Sequence, residues 1–555
     1  MKLKNKKSNV VIKLIVVAIF ILIVAAVINL APNYIRNENT DKINVIINNN
    51  NVTESLKFDS FVDENNIVYL STKDIANFFD EDIFYDNMYE QIITGSETKL
   101  ATLKLNEQEM YVNSAKVKIY GTATEKDNQF YLPFSEMKDV YNVEVAYIKE
   151  TNIVTIDSLD REQKKANASK NISIKYKPTI FSATLEKVKK GESVYLIVEN
   201  ARNGWHRVRT NNGRIGYTKD LTNIYVQREK MEASKQINGN VSMVWDYYTN
   251  NVPNRAGITI NGINVVSPSF VELVEQGKGD INVKIGAAGQ EYINWAHGQN
   301  YRVWAMVSNN GYPDTTSQIV NDYKIREKLI NNIINVVLQY NLDGINLDFE
   351  NVKLEDKEML SRFIIELAPR LKEFGKVLSV DVTAPDGGTD WSESYNRNKI
   401  GKVADYVVFM AYDQYGNSSK KAGTTAGADW IDVNIKKFVE REEVPAEKLI
   451  LGMPFYTRLW EEKANGDVTS EVIYMKSAEK NIPSGVQKTW NESLQQNYIE
   501  YTKGTSTYKM WIEDEASLKA KFTLMKKYNL AGAAYWQKDF EDSSIWDVVA
   551  GEMNK

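Results

Sequence analysis

The sequence predicts a multidomain chain that ends in an α/β fold, a (β/α)8 TIM barrel with an α+β insertion. A small β-barrel domain, an α+β stalk domain and an N-terminal transmembrane helix are expected ahead of it. Three observations carry this prediction. Strand-like apolar runs alternate with helix-period segments from about Lys235 to Lys555. The stretch before them consists of short strands and turn residues, and one apolar run near the N-terminus stands apart from the rest. At 555 residues the chain is too long for one core, and domains of roughly 100–200 residues give three or four.

Residues 1–9 form a basic tail with Lys2, Lys4, Lys6 and Lys7, followed by an almost wholly apolar run from Val10 to Leu30, broken by Lys13 and Asn29. About 20 apolar residues in a helix span the hydrocarbon core of a bilayer. The lysines stay cytoplasmic and send the rest of the chain outside. The expectation is a single-pass cell-membrane protein, held in the membrane through this helix, with extracellular C-terminal domains. A secreted protein freed by signal-peptide cleavage is the rival, although no clear small-x-small site follows the run.

Residues 40–160 repeat themselves. Val68-Tyr69-Leu70 followed by Ile75, Phe78, Phe79, Ile83 and Tyr85 matches Phe130-Tyr131-Leu132 followed by Met137, Val140, Tyr141, Val145 and Tyr147 at a constant offset. Each unit reads as a strand, a short amphipathic helix and alternating strand residues. The pair resembles the copper amine oxidase N-terminal-like domain, a stalk module. The segment has no histidine or cysteine to hold copper, and its expected work is spacing or wall contact.

The polar, basic stretch 161–170 reads as a linker. Residues 171–226 carry short strands punctuated by Lys190-Gly191-Glu192, Asn203-Gly204-Trp205 and Asn212-Gly213, and two-residue Asn-Gly turns suit tight hairpins. This segment resembles bacterial Src-homology-3-like domains of wall hydrolases. The resemblance implies a small β-barrel that contacts the cell wall, with Trp205 in its core.

For residues 235–555 the candidate strands are Val241–Trp245, Gly262–Val266, Tyr301–Val307, Gly344–Glu350, Val377–Thr383, Tyr406–Tyr412, Leu449–Pro454 and Ala531–Trp536. Helical patterns such as Tyr323–Gln339 and Lys357–Phe374 lie between several of them. Eight strands suit a (β/α)8 barrel, usually about 250 residues before insertions. The gap from Thr457 to about Leu530 exceeds one helix and marks an inserted subdomain. Periodicity does not separate a barrel from an open α/β sheet; the motifs do.

The strongest motif is Leu342-Asp343-Gly344-Ile345-Asn346-Leu347-Asp348-Phe349-Glu350. Residues two apart share a face of a strand, so Asn346, Asp348 and Glu350 point one way and the apolar residues between them the other. On a barrel strand this aims three polar groups inward, rising to Glu350 at the C-terminal rim, where barrel active sites sit. Burying such a stack is costly unless its groups are paired and used. A carboxylate close to another in a partly dry site has its pKa pushed upward, as a general acid near neutral pH requires. A solvated acidic loop or an oxygen-ligand Ca²⁺ site is the bland alternative, and the intervening apolar residues argue for a buried strand.

Composition narrows the chemistry further. A formal net charge of −5 offers no basic field for nucleic acid. With no cysteine and only His206 and His297, thiolate nucleophiles, multi-histidine metal centres and Ser/His/Asp triads are poorly supported. Carboxylate is what remains for catalysis.

The carboxylate motif resembles the glycoside hydrolase family 18 signature, usually written DGxDxDxE. The likeness extends to Phe409-Met410-Ala411-Tyr412-Asp413, similar to the family's Met-x-Tyr-Asp strand, and to Tyr535-Trp536 at the end of the last strand. The layout looks most like the family's bacterial wall and spore-cortex hydrolases. The resemblance implies Glu350, Asp348 and Tyr412 as catalytic groups. Glu350 would serve as general acid and then base, Asp348 would orient the substrate's acetamido group, and Tyr412 would hold the acetamido oxygen. It implies substrate contacts from Asn346, Met410, Asp413 and Trp536, with Tyr456 and Arg458 as further candidates. No metal or organic cofactor is implied. Asn346 departs from the pattern, since most members have aspartate there; it can hydrogen-bond Asp348 but not share a proton with it. Asp386, Trp391, Trp460 and Trp511 are weaker rim candidates, and His297 reads as structural.

The expected substrate is a glycan containing N-acetylglucosamine, peptidoglycan first. The alternatives are chitinase or endo-N-acetylglucosaminidase action on other glycans, and an inactive lectin-like wall binder. The kept Glu350 speaks against the last.

Overall fold

The computed structural model describes residues 13, 15–24, 42–231, 236–385 and 388–553. The chain divides into two units, Met1–Ser234 and Lys235–Lys555.

In the second unit eight parallel strands close into a ring: β1 (Val241–Asp246), β2 (Val265–Pro268), β3 (Arg302–Ser308), β4 (Gly344–Asp348), β5 (Val377–Val382), β6 (Tyr406–Met410), β7 (Leu449–Pro454) and β8 (Gly532–Trp536), with β8 pairing back onto β1. All eight expected strands are present. The second lies later than expected because Gly262, at φ 81°, turns the chain before extension begins. Gly344 opens β4 because a Cβ there would sit 2.4 Å from the Val377 carbonyl oxygen of β5. Helices α1 (Gly286–Gly298), α2 (Pro313–Asn321), α3 (Tyr323–Gln339), α4 (Lys357–Lys372), α5 (Arg397–Val403), α6 (Ala428–Lys436), α7 (Glu515–Lys527) and α8 (Ile545–Met553) are distributed among and after the strands.

Helix α3 starts where the Asp322 side chain accepts from the Lys324 and Ile325 amides, which satisfies two orphan donors of the first turn. Its buried face runs Leu329, Ile330, Ile333, Ile334, Val337, the spacing of one side of a helix. Buried Arg326 forks onto buried Glu366 with two 2.8 Å bonds and ties α3 to α4. Inside the barrel, Met243, Trp304, Met306, Val408, Ile450 and Ala534 form a packed apolar layer. The polar residues of β4 and β5 therefore rise from a dry floor.

The insertion is a five-stranded antiparallel sheet in the order Val468–Tyr474, Tyr456–Glu462, Ser506–Ile512, Gln496–Lys503, Thr489–Asn491. It ends before α7, which the expected bounds of the insertion had included.

In the first unit, the two repeats meet through their matching strands: Val68–Ser71 runs antiparallel to Gln129–Pro133, with Leu70 opposite Leu132. Equivalent carboxylates do equivalent work. Asp74 accepts from the Lys57 and Phe58 amides, and Glu136 accepts from the Tyr120 and Gly121 amides. A seven-stranded antiparallel sheet follows, and buried Trp205 lies in it.

Two expectations are corrected. The supposed linker 161–170 contains a strand, Gln163–Ala168, paired on both sides with Ser193–Arg202 and Leu221–Arg228. Its charged side chains face outward while Gln163, Ala166 and Ala168 are buried. Buried Arg209 then forks onto buried Asp157, binding this sheet to the strand Ile153–Ser158.

The membrane expectation is also overturned. Among the described residues no helix is long and apolar enough to cross a membrane. The single-pass location inferred from Val10–Leu30 is therefore not supported; the basic tail 1–9 and the remainder of that run lie outside the described residues.

Candidate active site

Asn346 and Asp348 both point into the barrel from β4, and both are buried. Asn346 uses its whole amide on neighbouring strands. Its Nδ2 donates to Ser379 Oγ at 2.9 Å and Asp381 Oδ1 at 2.7 Å, and its Oδ1 accepts from Trp245 Nε1 at 2.7 Å and Ser267 Oγ at 3.2 Å. The expected bond from Asn346 to Asp348 is absent because both amide hydrogens are committed elsewhere. Asp348 Oδ1 is buried with no hydrogen-bond partner. Burial, and then the charges of Glu350 and Asp381, holds the Asp348 carboxyl well above the usual aspartate range.

Glu350 sits just past the end of β4, partly exposed at the rim. Its peptide is gripped by Asn309 at the end of β3: the Glu350 amide donates to Asn309 Oδ1 at 3.0 Å, and Asn309 Nδ2 donates to the Glu350 carbonyl at 2.8 Å. These bonds replace the strand ladder, which is why β4 stops at Asp348. The preceding Phe349 carbonyl accepts from the Tyr395 hydroxyl at 2.7 Å. Burial, reinforced by the charge of Asp413, raises the Glu350 carboxyl above its ordinary value.

The opposite wall comes from β6 and β8. Tyr412 follows β6, and Asp413 leaves it with a left-handed φ of 56°. Such a turn is tolerated better by aspartate than by most residues. Asp413 accepts from the Tyr456 hydroxyl at 2.7 Å. Trp536, ending β8, lies 6.5 Å from Tyr412 in a stacked sense and 5.7 Å edge-on from Trp245. Two carboxylates thus lie near a tyrosine that is itself stacked on an indole, an arrangement able to donate a proton beside a bound ring.

A family model for glycosyl hydrolases family 18 matches residues 243–541, more than half of the chain. The chain belongs to glycosyl hydrolases family 18. The copper amine oxidase N-terminal domain model matches residues 46–156. The uncharacterized glycosylase YvbX of Bacillus subtilis (strain 168) is 28% identical over 278 residues, 48% of this chain and 79% of that protein. The cortical fragment-lytic enzyme of the same organism is 24% identical over 258 residues, 45% of this chain and 58% of that protein. The chitinase from Chromobacterium violaceum ATCC 12472 shares the fold, with a TM-score of 0.50 and 23% identity over 57% of this chain and 100% of that one.

Within this family 18 barrel the remaining sequence candidates separate. Met410 is buried at the end of β6. Buried Arg458 donates Nη1 to Ser470 Oγ at 3.1 Å, and its Nε has no partner. Trp391 is partly exposed in the segment after β5. Trp460 is fully buried with Nε1 on the Gly423 carbonyl, so it packs the insertion rather than facing the rim. Trp511 leans on Tyr498 within the insertion sheet. Asp386 lies outside the described residues. His297 lies 2.8 Å from Asp343 through Nε2, next to a bond from Arg302 at 3.1 Å, in keeping with a structural part. His206 accepts from the Asn200 amide in the first unit.

Sequence reasoning missed Asn309, Trp245, Ser379 and Asp381. The alternation Ser379-Val380-Asp381-Val382-Thr383 repeats the inward-polar period of β4 and would have exposed two of them. Nothing local marks Asn309.

Proposed function

We propose that this chain hydrolyses β-linked N-acetylglucosamine glycans, peptidoglycan before chitin, with retention of anomeric configuration. One observation carries the reading: Asp348 has a buried, unpartnered carboxylate oxygen two residues before a partly exposed Glu350 whose own carboxyl is raised above its ordinary value. A buried oxygen without a donor costs about 1–3 kcal/mol, and a substrate acetamido N–H would remove that cost.

In this reading Glu350 protonates the glycosidic oxygen. The substrate's own acetamido oxygen attacks the anomeric carbon, as in the substrate-assisted exception to two-carboxylate hydrolysis. Asp348 orients the acetamido N–H and balances the charge of the oxazolinium ring. Tyr412 hydrogen-bonds the acetamido oxygen and holds it at attacking distance. Asp413, steadied by Tyr456, supports that wall. Trp536 lies beneath the sugar, with Met410, Asn346 and Arg458 lining its surroundings. Glu350, now a carboxylate, then takes a proton from the attacking water.

Peptidoglycan is favoured because a matching relative is named a cortical fragment-lytic enzyme. The seven-stranded sheet of the first unit, with its likeness to Src-homology-3-like wall modules, is the part we assign to wall contact. The test presents purified protein with peptidoglycan sacculi and N-acetylglucosamine oligomers in parallel, with new reducing ends identified by mass spectrometry. Release from sacculi supports the reading. Release from oligomers alone moves the substrate to chitin. Binding without turnover of either overturns hydrolysis in favour of a lectin-like barrel.

A further inference from the structure

The two repeats of the first unit diverge at one equivalent place. Asp74 receives the Lys57 and Phe58 amides as Glu136 receives those of Tyr120 and Gly121, so Lys57 corresponds to Tyr120 and Phe58 to Gly121. At the offset that matches the repeats, Lys73 corresponds to Ser135. In the second repeat these positions are used to join the halves. A Cβ on Gly121 would lie 2.7 Å from the Tyr69 hydroxyl and 2.8 Å from Pro133 Cβ, so no side chain fits where the first repeat has Phe58. Ser135 Oγ accepts from the Val68 amide at 3.1 Å.

In the first repeat the corresponding residues line an open pocket of about 520 Å³, formed by Lys57, Phe58, Lys73, Ala76 and Asn77. Lys73, Ala76 and Asn77 stand three and four residues apart and so share one face of the helix Thr72–Phe78. The Lys73 ammonium lies 5.3 Å from the centre of the Phe58 ring, and that ring packs on Ile67, Tyr69 and Tyr131. Both lysines are exposed, and among the described residues neither has an acidic partner. The carboxylates next to them in sequence are engaged elsewhere. Asp59 takes Lys42 at 3.1 Å, and Asp74 takes the Ser71 hydroxyl along with the two amides.

We propose that this pocket binds a phosphate-bearing sugar or polyol, presented as the repeating unit of an anionic chain. The site lies in the first unit and does not rest on the hydrolytic reading of the barrel. Ammonium groups are compact point charges that suit phosphate oxygens without the fixed fork of a guanidinium. Two of them beside one ring hold the phosphate while the ring covers the C–H groups of the neighbouring sugar or polyol. The volume suits one or two such units, since small-ligand pockets run to roughly 300–1,000 Å³. Exposed charge pairs are weak singly, so one unit binds weakly and a chain that repeats it binds more firmly.

The test follows labelled glycerol-phosphate oligomers by fluorescence anisotropy, with the full chain and three variants. These are Lys57→Gln/Lys73→Gln, Phe58→Leu, and Lys104→Gln/Lys187→Gln, which removes two exposed lysines elsewhere in the first unit. Expected is saturable binding by wild type that weakens as salt is added. The pocket lysine pair should lose about tenfold in affinity and Phe58→Leu about threefold, with the control pair within about twofold of wild type. Polyglutamate of matched charge should compete less well, because it offers the charge without the phosphate or the polyol. Glucose 1-phosphate and glycerol phosphate as competitors tell a sugar source from a polyol source. Four results would overturn the proposal: no saturable binding by wild type, a pocket lysine pair as tight as wild type, a control pair weakened as much as the pocket pair, or equal competition by polyglutamate. Should Phe58→Leu not fold, the lysine pair, at exposed positions, decides.

Discussion

The side-chain amide of Asn309 holds the peptide of Glu350 from both sides, accepting from its N–H at 3.0 Å and donating to its carbonyl at 2.8 Å. The residue that would donate the proton is thereby fixed by the strand next door. Asn309 is itself fully buried and held to Thr316 Oγ1 at 3.0 Å.

Asn309→Ala leaves both Glu350 backbone groups without partners and frees the carboxyl to drift. Kinetics should show kcat lower by roughly 10- to 100-fold with KM little changed, since small misplacements of a reacting group have such effects. Thermal unfolding should show a loss of about 1–3 kcal/mol for the unpaired groups. Equal loss in kcat and 1/KM would point to a binding defect instead.

Tyr456→Phe removes only the hydroxyl that donates to Asp413 at 2.7 Å. One hydrogen bond to a charged group contributes about 1.5–3 kcal/mol, so kcat/KM should fall by roughly 10- to 100-fold with the fold intact by circular dichroism. An unchanged kcat/KM would remove Asp413 and Tyr456 from the working wall.

The buried carboxyls make stability depend on pH in a stated direction. Asp381 is raised to about 8 from 3.8, and Asp348 and Glu350 are raised as well. Over this range the folded state binds more protons than the unfolded one, so unfolding becomes easier as pH rises. The Asp381 contribution begins near its unfolded value and levels off above about pH 8. Calorimetry should find the barrel transition weakened by roughly 1–3 kcal/mol between pH 5 and pH 8, with a shallower slope in Asp381→Asn. A barrel that gains stability over that interval would contradict the assignment.

In the first unit, Asp157→Ala strands the buried Arg209 guanidinium, which forks onto Asp157 at 2.9 and 2.5 Å. Breaking one side of a buried pair costs about 3–5 kcal/mol. Denaturant unfolding should show this as an early transition, while turnover of short oligomers stays within about twofold of wild type. Replacing both partners with apolar residues should recover much of the loss.

Much of this was legible before any coordinates. The alternation of Asn346, Asp348 and Glu350 with Ile345, Leu347 and Phe349 named the strand, its inward face and the rim acid. The bounds of α3 matched the apolar spacing that follows the Asp322 cap. The segment 161–170 was misread because five of its ten residues are charged, while its strand buries only Gln163, Ala166 and Ala168; pairing with distant strands, rather than local pattern, makes it extended. Asp381 showed the right period but stood alone as an acid on its strand. Asn309 was invisible because its partner lies 41 residues away.

The central claim is that Glu350 supplies the proton that breaks the glycosidic bond. Glu350→Gln keeps the size and hydrogen-bonding capacity of the side chain and removes its acid. The account predicts that this variant folds, binds sacculi or N-acetylglucosamine oligomers as wild type does, and loses kcat by roughly 100- to 10,000-fold, the usual worth of a positioned general acid. A folded Glu350→Gln that turns over the same substrate at a wild-type rate would contradict it.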